Sequence, residues 1–129
     1  MCRQAEAAGV DFISVHGRRR DQRKDPVNYE AVRTIKDSLR IPVVANGDVT
    51  TLNEAEAVVD KCGVDGIMAA RGMLHNPTMF TGTDVTPLQC IRDWTEIAMR
   101  TGTAFGTFHH HLIYMCEASM SRYAIIIFF

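Results

Sequence analysis

The chain has 129 residues, with 14 Lys and Arg against 15 Asp and Glu and a hydrophobic fraction of 47%; this is the composition of an ordinary globular domain, and it excludes collagen, a disordered tail of one charge and a disulfide scaffold. The four cysteines show no spacing typical of zinc ligands or of a disulfide framework, and no metal site is predicted. No apolar run approaches the about 20 residues that span a bilayer, and the N-terminus lacks the order of a signal peptide, so we expect a cytoplasmic protein.

The first predicted elements form a unit of helix and strand that occurs twice. An alanine-rich stretch before Gly9 leads into the apolar run 11–15, and a similar stretch before Gly63 leads into a run centred near residue 67. Each pattern predicts a helix that ends on a glycine, followed by a strand. A third apolar run, 41–45, lies between them. It shares the nearly continuous apolar character of the other two runs, which is typical of parallel strands that are buried on both faces.

Two helices are predicted between these strands. Residues 28–38 form the first, with a buried stripe of Val32, Ile35 and Leu39. The second begins at a capping box, in which Thr51 accepts from the amide of Glu54 and Glu54 reaches back to the amide of Thr51. Its predicted buried stripe contains Leu52, Ala55, Val59 and Cys62.

Beyond Gly72 the alternation of helix and strand stops. Residues 74–80 are predicted as a short helix or loop, and residues 87–100 and 104–123 as the helices of an all-helical annex. The apolar face of the first helix contains Ile91, Trp94, Ile97 and Ala98. That of the second contains Phe108, Leu112, Met115 and Met120.

Three successive strand and helix units fit two α/β folds. One is part of a (β/α)8 barrel, and the other is part of a doubly wound open sheet. A whole barrel takes about 250 residues, so this chain would hold about three of its eight strands. In both folds the ligand lies at the carboxyl ends of the parallel strands.

Each predicted strand is followed by glycine next to a polar or cationic residue. The strand ends are Val15-His16-Gly17-Arg18, Ala45-Asn46-Gly47-Asp48 and Ala69-Ala70-Arg71-Gly72. Glycine allows close approach of the backbone to a ligand, and backbone amides attract phosphate, so these ends predict a ligand that carries phosphate.

Two charged runs require separate interpretations. The run 18–24 contains five cations and one anion, which fits either a solvated loop or an edge that faces phosphate or RNA. The run His109-His110-His111 is not a metal site, because consecutive helical residues point about 100° apart and cannot converge on one ion.

These motifs, in this order and spacing, resemble the tRNA-dihydrouridine synthases. The segments that carry the resemblance are Gly9–Arg18, Ile41–Asp48 and Gly66–Gly72, followed by Asn76-Pro77. It covers residues 1–121, and the string Phe108–Met115 is similar to the helical domain of the eukaryotic branch that acts on positions 20a and 20b. The resemblance implies a partial FMN-binding TIM-barrel domain over residues 1–80 and a partial helical tRNA-binding domain over residues 85–129.

The resemblance also implies the chemistry. NADPH reduces FMN, and the flavin reduces a uridine of the tRNA D-loop to 5,6-dihydrouridine while a cysteine acid supplies a proton. The implied FMN contacts are His16, Asn46, Gly47, Asp48, Ala70 and Arg71. The implied RNA contacts are Arg18, Arg19 and Arg20. The family has a Gly-Arg pair where this chain has Ala70-Arg71.

The family's first strands and its catalytic cysteine precede the region of resemblance, so we expect a truncated chain with no catalytic residue and no turnover alone. The run 11–15 is expected to form an unpaired edge strand, and the apolar tail 123–129 departs from the family pattern; both favour association. Two alternatives stay open. One is a non-catalytic fragment with residual binding of FMN phosphate or RNA, and the other is an FMN-dependent barrel oxidoreductase similar to dihydroorotate dehydrogenase.

Overall fold

A computed structural model of the chain describes residues 1–22 and 25–119. The chain divides into two compact units, the first ending at Ala69 and the second beginning at Ala70. The elements are α1 (Cys2–Ala7), β1 (Ile13–His16), α2 (Tyr29–Asp37), β2 (Val43–Asn46), α3 (Leu52–Cys62), β3 (Gly66–Met68), α4 (Arg71–His75), a 3-10 turn (Met79–Thr81), α5 (Leu88–Thr101) and α6 (Phe105–Cys116). Among the described residues, no helix has both the length and the apolar character needed to cross a bilayer.

The first unit is built on a parallel sheet in which the strand order is β1-β2-β3. Ile13 pairs with Val43 and His16 with Asn46, while Asn46 also pairs with Met68 on its other side. Each strand is connected to the next by a helix, as parallel pairing requires. The predicted α/β class, with parallel strands followed by helices, is confirmed.

Burial of the strands corrects one expectation. In β2, Val43 and Ala45 are buried while Val44 and Asn46 are half-buried; in β1 every second residue is exposed. Only β2 therefore approaches burial on both faces. In the described part of the chain β1 pairs with β2 alone, so it is an edge strand, as predicted. The alternation shows that one face of the sheet is packed against the core and the other is more open.

Helices α2 and α3 each begin at a residue whose side chain caps the N-terminus of the helix. Asn28 accepts from the amide of Ala31 at 2.9 Å, and Thr51 accepts from that of Glu54 at 3.2 Å. The carboxylate of Glu54, however, accepts from the amide and hydroxyl of Thr50, both at 2.8 Å, one residue before its predicted partner. These two hydrogen bonds lower the pKa of Glu54. At the other end, α3 ends on Gly63 in the left-handed conformation, as predicted.

The buried stripe of α2 is confirmed, but that of α3 is rotated. Val32 and Leu39 are buried, whereas in α3 the buried residues are Ala55, Val58 and Cys62. The predicted Val59 is 36% exposed. Both valines satisfy a helical period with Ala55, and the rotation of the helix against the rest of its unit decides which one is buried.

The second unit has a core of its own. Its buried members are Ile91, Leu112, Met115 and Cys116, and half-buried Trp94 and Phe108 pack against them. Among the described residues, the predicted faces of the two long helices are confirmed except at Ile97, which is exposed. Helix α6 ends at Cys116, before the predicted residue 123, because the amides of Glu117 and Ser119 bond back three residues and tighten the chain into turns. Met120 and the tail 123–129 lie outside the described residues.

Candidate functional site

The ends of β1 and β2 lie side by side in the first unit. The parallel register places His16 beside Asn46, and the amide of Gly17 donates to the carbonyl of Asn46 at 3.3 Å. On the other side, the carboxamide of Asn46 lies 3.5 Å from the sulfur of Met68. The sheet therefore brings together His16 and the Asn46-Gly47-Asp48 turn, which the sequence places 30 residues apart.

The turn after β2 has an unusual backbone. Gly47 has a φ of 139°, and Asp48, at 50°, is the only described residue other than glycine with a positive φ. Glycine adopts a positive φ readily, whereas the conformation of Asp48 costs of order 1–3 kcal/mol, and strained residues of this kind cluster at functional sites. The hydroxyl of Tyr29 supports the turn by donating to the carbonyl of Gly47 at 2.8 Å. Burial raises the pKa of Tyr29, so this hydroxyl remains a donor.

Arg18 and Asp48 form a bidentate ion pair. One guanidinium nitrogen of Arg18 lies 2.7 Å from one carboxylate oxygen of Asp48, and the second nitrogen contacts the other oxygen. The Nε of Arg18 donates to the carbonyl of Asp25. The side chain of Arg18 is only 11% exposed, and the hydrogen bond to Asp48 raises its pKa. The guanidinium predicted to contact RNA is thus engaged within the protein.

His16 is exposed at the end of β1, and its ring is oriented by the next turn of the chain. Its Nδ1 accepts a hydrogen bond from the amide of Arg18 at 3.2 Å. Because an accepting nitrogen carries no proton, the neutral ring carries its proton on Nε2. His16 therefore presents a hydrogen-bond donor.

The remaining predicted ligand contacts lie in the second unit. Ala70 and Arg71 are exposed and stand at the start of α4, followed by buried Gly72. After α4, the buried side chain of Asn76 donates to the carbonyl of Thr83 at 2.7 Å and accepts from the amide and hydroxyl of Thr78. In this unit, Asn76 of the Asn-Pro motif therefore has a structural role, since it holds the chain after α4 through hydrogen bonds.

The predicted RNA-facing run is described up to residue 22. Arg19 is 75% exposed and lies 3.5 Å from the carboxylate of Asp21, and Arg20 is exposed. Arg23 and Lys24 lie outside the described residues. Arg19 and Arg20 are solvated cations, in contrast to Arg18.

The three consecutive histidines contact three different neighbours. His109 stacks on Phe105, His110 meets the edge of Tyr114, and His111 meets Trp94. Across the described parts of the chain, no group of three His, Cys, Asp or Glu side chains is arranged to hold a metal ion. Burial raises the pKa of the thiols of Cys62, Cys90 and Cys116, so they are poor nucleophiles.

Sequence reasoning missed two features. Tyr29 supports Gly47 across 18 residues, and no local motif marks it. The second unit also contains an open, mostly apolar groove of about 550 Å³. It is lined by Ala70, Met73, Leu74, Pro77, Cys90, Asp93, Trp94, Ile97, His111 and Met115.

Comparison with known proteins agrees with the resemblance. The family profile described as Dihydrouridine synthase (Dus) matches residues 1–127. A mouse (Mus musculus) protein named tRNA-dihydrouridine(20a/20b) synthase NAD(P)+-like is 52% identical over 122 residues, which are 95% of this chain and 38% of that protein. Its human namesake is 51% identical over the same shares. A Schizosaccharomyces pombe protein named tRNA-dihydrouridine(20a/20b) synthase NAD(P)+ is 40% identical over 85% of this chain and 34% of its own length.

Proposed function

The chain belongs to the dihydrouridine synthase family, and from this membership we propose that it is the C-terminal part of an FMN- and NADPH-dependent tRNA-dihydrouridine synthase. The reaction would be reduction of uridine to 5,6-dihydrouridine in the D-loop. The similar mouse and human proteins are named for positions 20a and 20b, which supports those targets. The chain spans 38% of their length. The family membership decides against the alternative of an oxidoreductase similar to dihydroorotate dehydrogenase.

The donors at the strand ends support FMN as the ligand. FMN, when bound, supplies the reducing equivalents for the uracil ring. His16 offers an Nε2 donor, and Asn46 offers a carboxamide whose amide nitrogen makes a weak contact of 3.5 Å to the sulfur of Met68. The carboxylate of Asp48, which would repel a phosphate, is neutralised by Arg18. This donor set fits a polar, anionic cofactor, and the neutralised Asp48 is the observation that carries the proposal.

Each predicted contact has a distinct task in the proposal. His16 and Asn46 donate to polar atoms of FMN, and the Gly47-Asp48 turn supplies the backbone that borders it. The second unit, taken by itself, offers Arg71 as a cation for a phosphate, and Ala70 offers backbone next to it. We assign these roles to a partial barrel domain over residues 1–80.

The RNA side of the proposal rests on charge. Arg19 and Arg20 are exposed cations. If each contacts a phosphate of the tRNA, removal of either cation would make tRNA binding less dependent on salt concentration. The partial helical domain over residues 85–129 would add further contacts to the tRNA. Cytoplasmic tRNA is the proposed partner.

The cofactor assignment is tested by titrating the full chain with FMN and following flavin fluorescence. We expect saturable binding that weakens about tenfold or more in His16→Gln and in Arg71→Ala, the scale of a lost charge-assisted hydrogen bond. His110→Gln and Arg92→Ala remove the same groups from exposed positions of the second unit and should leave binding unchanged. Absence of saturable binding by the unaltered chain contradicts a cofactor site in this part of the enzyme. Binding without turnover supports the reading of a non-catalytic fragment.

The RNA assignment is tested with tRNA at several salt concentrations. The variant Arg19→Gln/Arg20→Gln should bind more weakly and show a salt slope smaller by about 1 for each phosphate contact that is lost. An unchanged slope would place both arginines in a solvated loop.

A further inference from the structure

Arg18 differs from the two arginines that follow it. The side chain of Arg18 is only 11% exposed, and within the described residues its guanidinium donates to the carboxylate of Asp48 and the carbonyl of Asp25. A guanidinium that donates to both oxygens of a carboxylate has a fixed orientation, because its planar fork matches the carboxylate and loses little conformational freedom on binding it. An arginine in this state is poorly placed to meet a phosphate of RNA.

The ion pair between Arg18 and Asp48 connects the ends of two neighbouring strands. Arg18 follows β1 and Asp48 follows β2, and Asp48 has the positive φ of 50° that closes the turn. The same residue, Arg18, holds His16 through its backbone, since its amide donates to Nδ1 of the imidazole. Hydrogen bonds from Arg18 therefore connect the ion pair, the turn after β2 and the imidazole of His16.

We infer that Arg18 is a positioning residue, which uses its ion pair with Asp48 to hold the Nε2-protonated form of His16 and the turn after β2 in place for an anionic, hydrogen-bonding ligand. Two tasks follow from one contact. The pair removes the charge of Asp48 from the ligand side, and it selects which nitrogen of His16 donates. The ligand in this role is FMN only if the proposed function holds, whereas the effect on His16 is a property of the chain itself.

The test is the 15N spectrum of the imidazoles in the full chain without ligand, at a pH where histidine is neutral. The signals of His16 are identified among those of the five histidines by a His16→Gln variant, in which they are missing. In the unaltered chain we expect His16 as the Nε2-protonated tautomer with Nδ1 accepting. A His16 signal of the Nδ1-protonated tautomer, or an even mixture, overturns the inference before any change is made at Arg18 or Asp48.

Three variants separate positioning from charge. Arg18→Lys keeps the cation but loses the bidentate fork, Arg18→Gln loses the cation, and Asp48→Asn loses the other half of the pair at nearly constant shape. All three should shift the His16 signals toward a mixture of tautomers, and the double variant Arg18→Gln/Asp48→Asn should add little to either single change. Arg33→Gln, which removes an exposed cation from α2, should change nothing.

An effect of the positive charge of Arg18 alone, independent of its pairing with Asp48, gives a different result. Arg18→Lys would then behave as the unaltered chain, and Asp48→Asn would leave His16 unchanged; either outcome overturns the inference. If the variants lose the fold of the first unit, seen as loss of the methyl signals of Val32 and Val43, the tautomer of the unaltered chain decides alone.

FMN titration of the same variants links these contacts to the ligand. In metal sites, loss of a group that orients a ligating side chain lowers affinity by about 10–100-fold, and by analogy we expect at least the lower figure for Arg18→Lys. If the unaltered chain binds no FMN while the tautomers respond as expected, the proposed function fails and the positioning role stands. If FMN binds and the tautomers do not respond, the reverse holds.

Discussion

Gly17 provides the sharpest test of how the first strand end is packed. It follows β1 and is not among the glycines with a positive φ, so an alanine there meets no torsional penalty. A Cβ would, however, lie 2.5 Å from Cγ1 of Val27, 3.2 Å from the carbonyl oxygen of Asn28 and 3.3 Å from Cγ2 of Val32. The first distance is far inside van der Waals contact, and the backbone carbonyl and the buried Val32 cannot easily withdraw. Overpacking of this kind costs about 1–3 kcal/mol, and we expect that loss in the free energy of unfolding of Gly17→Ala.

The steric origin of this loss is separable from a general effect of alanine. Val27→Ala removes the methyl group that the new Cβ would strike, at a cost of about 1 kcal/mol for a half-buried valine. In Gly17→Ala/Val27→Ala the loss should be smaller than the sum of the single losses by at least about 0.5 kcal/mol. The remaining close contacts to Asn28 and Val32 keep the rescue incomplete.

The assay is urea unfolding of the full chain followed by far-UV circular dichroism. Gly106→Ala is the matched control, because a Cβ there meets nothing within 4 Å and the residue lies inside α6. Because Gly106 is the second residue of α6 and lies in its first turn, that change should alter the free energy of unfolding by less than about 0.5 kcal/mol. A Gly17→Ala variant as stable as the unaltered chain, or a double variant that shows plain additivity, would refute the packing described for this strand end.

Two further predictions concern stability. The pKa of Glu54 is lowered in the folded state, so its contacts with Thr50 stabilise the protein at pH values above the ordinary pKa of 4.5. This contribution is lost as the pH falls through the lower folded pKa. Glu54→Gln should therefore flatten the acid limb of a plot of unfolding free energy against pH, and an unaltered limb would contradict the cap. Leu112 is fully buried, so Leu112→Ala should lower the free energy of unfolding by about 2–5 kcal/mol. Leu88, which is 58% exposed, should lose less than about 0.5 kcal/mol in thermal or urea unfolding, and equal losses at both sites would contradict the core of the second unit.

Features set by neighbours in the sequence were predictable. The cap of Thr51 and the end of α3 at Gly63 depend on residues within one helical turn, and both are confirmed. The apolar run 41–45 indicated a central strand for the same reason, since burial of consecutive apolar residues requires cover on both faces. The roles of the predicted ligand residues remain predictions.

Features that depend on contacts across the fold were not predictable. Val58 and Val59 are equivalent to a helical period, and only packing decides that Val58 is buried. Tyr29 has no motif, and its contact with Gly47 exists because α2 begins beside the end of β2.

The sequence by itself determined the strands, the helices between them and the family, because each is encoded in local periodicity, caps and the order of short motifs. The tertiary structure decided what the residues at the strand ends do. Arg18 and Arg19 are adjacent and identical in sequence, yet parallel pairing of β1 with β2 places Asp48 against Arg18 and leaves Arg19 in solvent. The partner of a charge is chosen by the register of a sheet over a separation of 30 residues, and no local pattern contains that information.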